Sequence, residues 1–178
     1  NRLSKERFTT NQIYLNGSGV ASGDYDGDGL CDLFFCGLDS ENKLYRNLGG
    51  FKFEDVSEKA RAGVFGFGPM AMADVDADGD LDLFIGGIAN HGDSFSEVSS
   101  YLMLNVNGQF EVSSSSGIFK NIGSTTGVVF SDVDNDLDPD LLLSRRWSSP
   151  LLFINEGGKF SDRSTEWGMA GLNGLWNG

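Results

Sequence analysis

Three short apolar runs, Leu33-Phe34-Phe35, Leu83-Phe84-Ile85 and Leu141-Leu142-Leu143, each follow directly on a stretch in which Asp recurs at every second position. Before those stretches stand Val20-Ala21-Ser22, Met70-Ala71-Met72 and Val128-Val129-Phe130. Apolar runs this short, on both sides of a Gly/Asp segment, predict strand–loop–strand hairpins. Runs without polar alternation predict strands that are covered on both faces.

A second pattern recurs with the first. Leu44-Tyr45-Arg46-Asn47, Leu102-Met103-Leu104-Asn105 and Leu152-Phe153-Ile154-Asn155 each lead into a Gly-containing turn and then into Lys52-Phe53, Gln109-Phe110 or Lys159-Phe160. This reads as a second hairpin in each repeat. Asp32 to Asn47 and Asp140 to Asn155 are both 15 residues, while Asp82 to Asn105 is 23, so an insertion of eight lies around Ala89–Ser100. Asn47 to Asp74 and Asn105 to Asp132 are both 27. Four short strands per repeat, at a period of about 50 residues, predict the blades of a β-propeller. Calcium-binding β-helices repeat about every nine residues and fit less well.

The expected fold is therefore all-β, a partial β-propeller of about three four-stranded blades, each with a calcium-binding hairpin loop. The blades are expected near residues 12–62, 63–120 and 121–171, with 172–178 starting another. The same spacing places a further Asp loop at 182, beyond Gly178. Propellers close with about four to eight blades, so the expectation is a piece of a longer polypeptide, or one closed by another chain.

Charge sharpens the picture. The formal net charge is −13, and 14 of the 26 acidic residues fall in the windows 24–32, 74–82 and 132–140. Such clusters repel themselves unless a cation sits among them. The acidity argues against nucleic acid as a partner, because there is no Lys/Arg patch to displace counterions. No apolar run approaches the ~20 residues of a membrane-spanning helix, and the N-terminus carries no export-signal pattern. Cys31 and Cys36 are five apart, so along one strand they point to opposite faces and are expected as free thiols.

The windows share the form D-x-D-x-D-x-x-x-D. Calcium takes six to eight oxygen ligands, which alternating carboxylates on a tight loop supply. The expected ligands of the first loop are Asp24, Asp26, Asp28 and Asp32 with the carbonyl of Leu30. Those of the second are Asp74, Asp76, Asp78 and Asp82 with the carbonyl of Asp80. Those of the third are Asp132, Asp134, Asp136 and Asp140 with the carbonyl of Asp138. Up to three calcium ions follow. An EF-hand needs a Glu at position 12 and flanking helices. Here position 12 is Phe35, Ile85 or Leu143 and the flanks read as strands. Zinc is disfavoured without a Cys/His cluster, and magnesium rarely uses an all-protein cage. Asp is favoured in turns anyway, but three loops in register are more than turn decoration. Gly29 and Gly79 stand where the backbone bends sharply, and Leu137 replaces that glycine, so the third loop is expected to bind most weakly.

These residues resemble the FG-GAP/VCBS repeats of integrin α-chain propellers and of many secreted bacterial proteins. The stretch Asn16 to Asp24, with Leu44-Tyr45-Arg46-Asn47 and Phe53 to Ala60, is most similar to the cartilage-acidic-protein-like (ASPIC/UnbV-associated) branch. The resemblance implies a seven-bladed parent, calcium between the first two strands of a blade, and a secreted, periplasmic or cell-surface location. Leu137, the insertion and the absent blades depart from it.

The remaining candidates are weaker. His91, the single histidine, is read as a solvated loop residue. Trp147, Trp167 and Trp176 are read first as core or inter-blade packing and second as stacking platforms. Arg145-Arg146-Trp147 is a candidate cap on a ligand-facing loop. Asn16-Gly17-Ser18 fits both a glycosylation sequon and a turn. No nucleophile elbow, phosphate loop or hydrolase motif is present. The expected function is a non-catalytic binding or adhesion module for a protein or glycan. The alternatives are a non-catalytic part of a carbohydrate-active lyase or hydrolase, and a scaffold that closes with another chain.

Overall fold

Twelve strands alternate with tight turns in a computed structural model that describes residues 19–37, 40–64, 68–89, 97–172 and 174. The first four are β1 (Val20–Gly23), β2 (Asp32–Phe35), β3 (Lys43–Asn47) and β4 (Phe53–Asp55). Then come β5 (Met70–Ala73), β6 (Asp82–Ile85), β7 (Tyr101–Val106) and β8 (Gln109–Val112). The last are β9 (Thr125–Ser131), β10 (Asp140–Arg145), β11 (Leu151–Glu156) and β12 (Lys159–Asp162). Each group of four forms one sheet in sequential order, antiparallel throughout. The chain is thus all-β, with three four-stranded sheets that form successive blades of a partial propeller.

Register is set by the Asp loops. Gly23 pairs with Asp32, Ala73 with Asp82 and Ser131 with Asp140, so residues 24–31, 74–81 and 132–139 form the connection of each first hairpin. The apolar run after each loop is the second strand, covered on both faces in the middle blade, where all four residues of β6 are buried. Side chains alternate across it. Leu83 and Ile85 join Phe34, Leu44 and Phe110 in a core between blades one and two. Phe84 joins Phe119, Leu141, Leu143 and Phe153 in a core between blades two and three. A fully buried side chain of this size stabilises by roughly 1.5–3 kcal/mol, so the seams hold the structure together.

The second seam is aromatic. Phe119, at the end of a 3-10 segment Ser114–Phe119, meets Phe84 at 5.1 Å, Phe153 at 5.0 Å and Phe160 at 5.7 Å, all edge-on. Edge-on pairs match the positive ring edge to the negative face. The first strands of the blades run side by side, β1 against β5 and β5 against β9. They start at very close backbone approach: a Cβ on Gly19 would lie 2.3 Å from the Gly68 carbonyl oxygen, so a side chain there forces the strands apart.

A serine completes each blade. The amide of Leu44 donates to Ser57 Oγ, that of Leu102 to Ser116 Oγ and that of Leu152 to Ser164 Oγ, at 3.0–3.1 Å. These hydroxyls satisfy an amide at the start of the third strand, which would otherwise be buried unpaired. Cys31 is exposed and Cys36 is buried, on either side of β2 and neither in a disulfide. Among the described residues no helix is long and apolar enough to cross a membrane.

Two expectations on aromatic packing are corrected. Trp147 and Trp167 are 65% and 47% exposed, and neither joins a core. Trp147 follows a register shift at Ser144/Arg145 and has φ +57°, so the chain leaves the sheet before the indole can pack. Trp176, His91 and Asn16-Gly17-Ser18 lie outside the described residues.

Candidate metal loops

Each loop is first organised by its own carboxylates. At position 1, Asp24 accepts the amides of Asp28 (3.1 Å) and Gly29 (2.8 Å). Asp74 accepts those of Asp78 (3.1 Å) and Gly79 (3.0 Å), and Asp132 those of Asp136 and Leu137 (both 3.2 Å). At position 5, Asp28, Asp78 and Asp136 accept the amide two residues on, each at 2.9 Å. Short Asp side chains that bond amides a few residues ahead fold the chain into consecutive turns, which is why Asp and not Glu recurs.

Left-handed backbone completes the fold of the loop. Position 6 is Gly29 at φ +86°, Gly79 at +96° and Leu137 at +79°. Leucine there is a steric strain of about 1–2 kcal/mol that glycine avoids. Position 4 is left-handed too, with Gly27 at +73°, Ala77 at +60° and Asn135 at +66°. Sequence reading missed this position, although Gly27 and Asn135 are the residue types that tolerate it.

Position 9 has a role beyond the expected one of ligand. Asp32, Asp82 and Asp140 are each about 1% exposed, and both oxygens of each accept a backbone amide. One oxygen takes loop position 2, from Tyr25 (2.9 Å), Val75 (2.9 Å) or Val133 (2.8 Å). The other takes the third-strand Asn, from Asn47 (2.7 Å), Asn105 (2.8 Å) or Asn155 (2.9 Å). The carboxylate ties the two hairpins of a blade together. Burial raises the Asp82 carboxyl to about 6, and raises Asp32 as well, against the lowering by these amides.

The Asn side chain then joins one blade to the next. Asn105 Nδ2 donates to the carbonyl of Tyr25 in the first loop, and Asn155 Nδ2 to that of Val75 in the second, both at 2.8 Å. Asn47 instead donates to Cys31 of its own blade at 3.0 Å. In the second and third blades the recurring Asn is therefore a seam residue.

The structure gathers three carboxylate trios with ligand atoms within 4.8 Å of one another: Asp24, Asp26 and Asp32; Asp74, Asp76 and Asp78; Asp132, Asp134 and Asp136. The second and third trios use positions 1, 3 and 5; the first uses 9 in place of 5. Of the expected side-chain ligands, Asp28, Asp82 and Asp140 enter no trio; Asp80 and Asp138 are expected to offer only their main-chain carbonyls, and the Asp138 side chain accepts the Gly157 amide through Oδ2 at 2.7 Å. Asp26 Oδ1 and Asp76 Oδ1 are buried with no hydrogen-bond partner. An orphaned, buried anionic oxygen is costly, and a hard cation among its neighbours removes that cost. Burial first, then the neighbours Asp78 and Asp74, raises Asp76. Desolvation, then Asp136 and Asp140, raises Asp134. The first two loops thus fit a divalent cation in oxygen coordination; the three gathered carboxylates of the third are all exposed, and none has such an orphaned oxygen among the described atoms.

Arg145 is not a ligand-facing cap. Its Nε donates to the Ser149 carbonyl at 2.8 Å and its Nη1 to the Ile122 carbonyl at 2.6 Å, so it staples a turn to the preceding connection.

Residues 24–85, from the first metal loop to the end of β6, match the family model of the FG-GAP-like repeat. No curated protein matches the chain significantly.

Proposed function

We propose that this chain is a calcium-binding propeller module of an exported protein, and that it acts by binding a protein or glycan partner rather than by catalysis. The observation that carries the metal reading is the orphaned position-3 oxygen, Asp26 Oδ1 and Asp76 Oδ1, inside a loop of gathered carboxylates. Calcium would be held by Asp24, Asp26, Asp28, Asp32 and the Leu30 carbonyl in the first loop. In the second it would be held by Asp74, Asp76, Asp78, Asp82 and the Asp80 carbonyl. In the third it would be held by Asp132, Asp134, Asp136, Asp140 and the Asp138 carbonyl. When bound, the ion supplies charge neutralisation and cross-links the loop; no redox or acid–base step is required of it. The match to an FG-GAP-like repeat supports an interaction module, and the cartilage-acidic-protein-like branch is the proposed affiliation. An extracytoplasmic location follows from the same reading, since modest calcium sites fill where calcium is abundant.

Binding is favoured over catalysis because the carboxylates at positions 1, 5 and 9 of the loops already accept backbone amides of their own blades. Differential scanning calorimetry in calcium, in magnesium and in chelator tests the metal reading. An ion at a hundredfold excess over Kd stabilises by about 2.7 kcal/mol per site. For a chain of this size that raises Tm by about 5–10 °C per filled site. A melting temperature indifferent to chelator would overturn it. Glycan and protein arrays probed with and without chelator test the partner reading, and binding that ignores chelator would separate recognition from the loops.

A further inference from the structure

We infer that Arg46 is a built-in cation that competes with calcium for the first loop, making that loop a responsive site while the second is a structural one. The inference rests on the calcium reading but concerns a residue outside the ligand set. Arg46 precedes the seam Asn on β3; at the same place the other blades carry Leu104 and Ile154. Its Nη2 lies 2.8 Å from Asp28 Oδ2. Its Nε lies 2.6 Å from Asp26 Oδ2, an ion pair whose angle is not that of a hydrogen bond. Among the described residues no other Lys or Arg pairs with a loop carboxylate.

A second observation agrees with the first. The first loop alone leaves its position-5 carboxylate out of the gathered trio. Both oxygens of Asp28 are engaged, Oδ1 by the Leu30 amide and Oδ2 by Arg46. In the second loop Asp78 keeps the same amide bond, from Asp80, and stays in the trio. The guanidinium therefore accounts for the difference between two loops of the same pattern. Asp26 nevertheless keeps Oδ1 orphaned, so the loop is half satisfied and still open to an ion. The Arg46 side chain is 35% exposed, so it has room to leave. Loading the loop is an exchange, calcium in and guanidinium out into water.

Calcium titration followed by backbone amide NMR reads both loops in one sample, Gly29 for the first and Gly79 for the second. Arg46→Leu copies the residue type of the other blades. Two exposed ion pairs are lost from the metal-free loop, so its calcium midpoint at Gly29 should fall about tenfold. Gly79 should keep its midpoint within about twofold, which also shows that the fold persists. Arg46→Lys keeps a charge but not the two-pronged grip, and should give an intermediate midpoint at Gly29. It serves as well should the leucine variant not fold. A Gly29 midpoint that is unchanged, or raised, would overturn the inference, since Arg46 would then organise the loop instead of competing for it. Equal shifts at Gly29 and Gly79 would overturn it too. If calcium moves Gly79 but Arg46→Leu has no effect, only this inference falls; if calcium moves neither glycine, the calcium reading falls with it.

Discussion

Truncating the three third-strand asparagines should produce two severe losses of stability and one mild one. Asn155 is fully buried. Its Nδ2 donates to the Val75 carbonyl at 2.8 Å and to the Pro139 carbonyl at 3.3 Å, and its Oδ1 accepts the Gly158 amide at 2.9 Å. Asn155→Ala leaves the Val75 carbonyl, on a residue 1% exposed, facing a void. An unsatisfied buried acceptor costs about 1–3 kcal/mol, and the lost turn bond about 1 more, so the expected loss is about 3 kcal/mol. Asn105→Ala removes the matching bonds to Tyr25 and Gly108 and should cost about the same. Asn47 makes the turn bond to Gly49 but reaches only Cys31, an exposed residue of its own blade. Water can replace that bond, so Asn47→Ala should cost about 1 kcal/mol. Urea unfolding in chelator, with an unchanged m-value as the check on a common transition, measures all three. If Asn47→Ala proved as costly as Asn155→Ala, the bond to the neighbouring loop would contribute nothing, and the seam role assigned here would be wrong.

Other measurements address single residues. Leu137→Gly relieves a left-handed leucine whose side chain is 89% exposed, so no packing is lost; stability should rise by about 0.5–1 kcal/mol in thermal melts, and a loss would contradict the strain. Ala77→Gly, at φ +60°, should be neutral to stabilising by the same test, whereas Gly27→Val should destabilise by at least about 1 kcal/mol. A maleimide should label Cys31 in the folded protein and spare Cys36, whose thiol burial pushes up to about 12; equal labelling of both without denaturant would show that the first seam opens.

The blades and loops were legible because both are local. Alternating Asp, a glycine at position 6 and an apolar run afterwards are set by bonds spanning only a few residues, such as Gly29 to Asp24. The intervals between repeats then fixed the strand count. The seams were not legible in that way. Asn105 stood out by its spacing, yet its side chain reaches Tyr25, 80 residues back, and no interval within one repeat reveals which blade is the neighbour. Arg46 was hidden for a related reason. In sequence it is one of five residues in a strand ending in Asn, and only the pairing of β3 beside β2 brings it over Asp26 and Asp28. Position 9 illustrates a third limit: Asp32 fits a ligand pattern, and the pattern does not show that two amides already hold it. Trp147 turns outward because it follows a bulge at Ser144/Arg145, which composition does not encode.

The seam bonds change what the metal loops are for. Loop position 2 uses both its backbone groups: the amide goes to position 9 of its own loop, and the carbonyl goes to the Asn of the next blade. In the first loop these are the bonds from Tyr25 to Asp32 and from Asn105 to Tyr25. Asn105 in turn donates its own amide to Asp82 of the second loop. An unbroken path of hydrogen bonds therefore runs from Asp32 through Tyr25 and Asn105 to Asp82, and again through Val75 and Asn155 to Asp140. Any ion that stiffens one loop fixes a carbonyl that the next blade needs, so metal binding and blade docking favour each other by linkage. A loop of this kind cannot be described as an ornament on one hairpin. The first and second loops are each set in place by two blades, through their own position-9 carboxylate and the third-strand asparagine of the blade that follows.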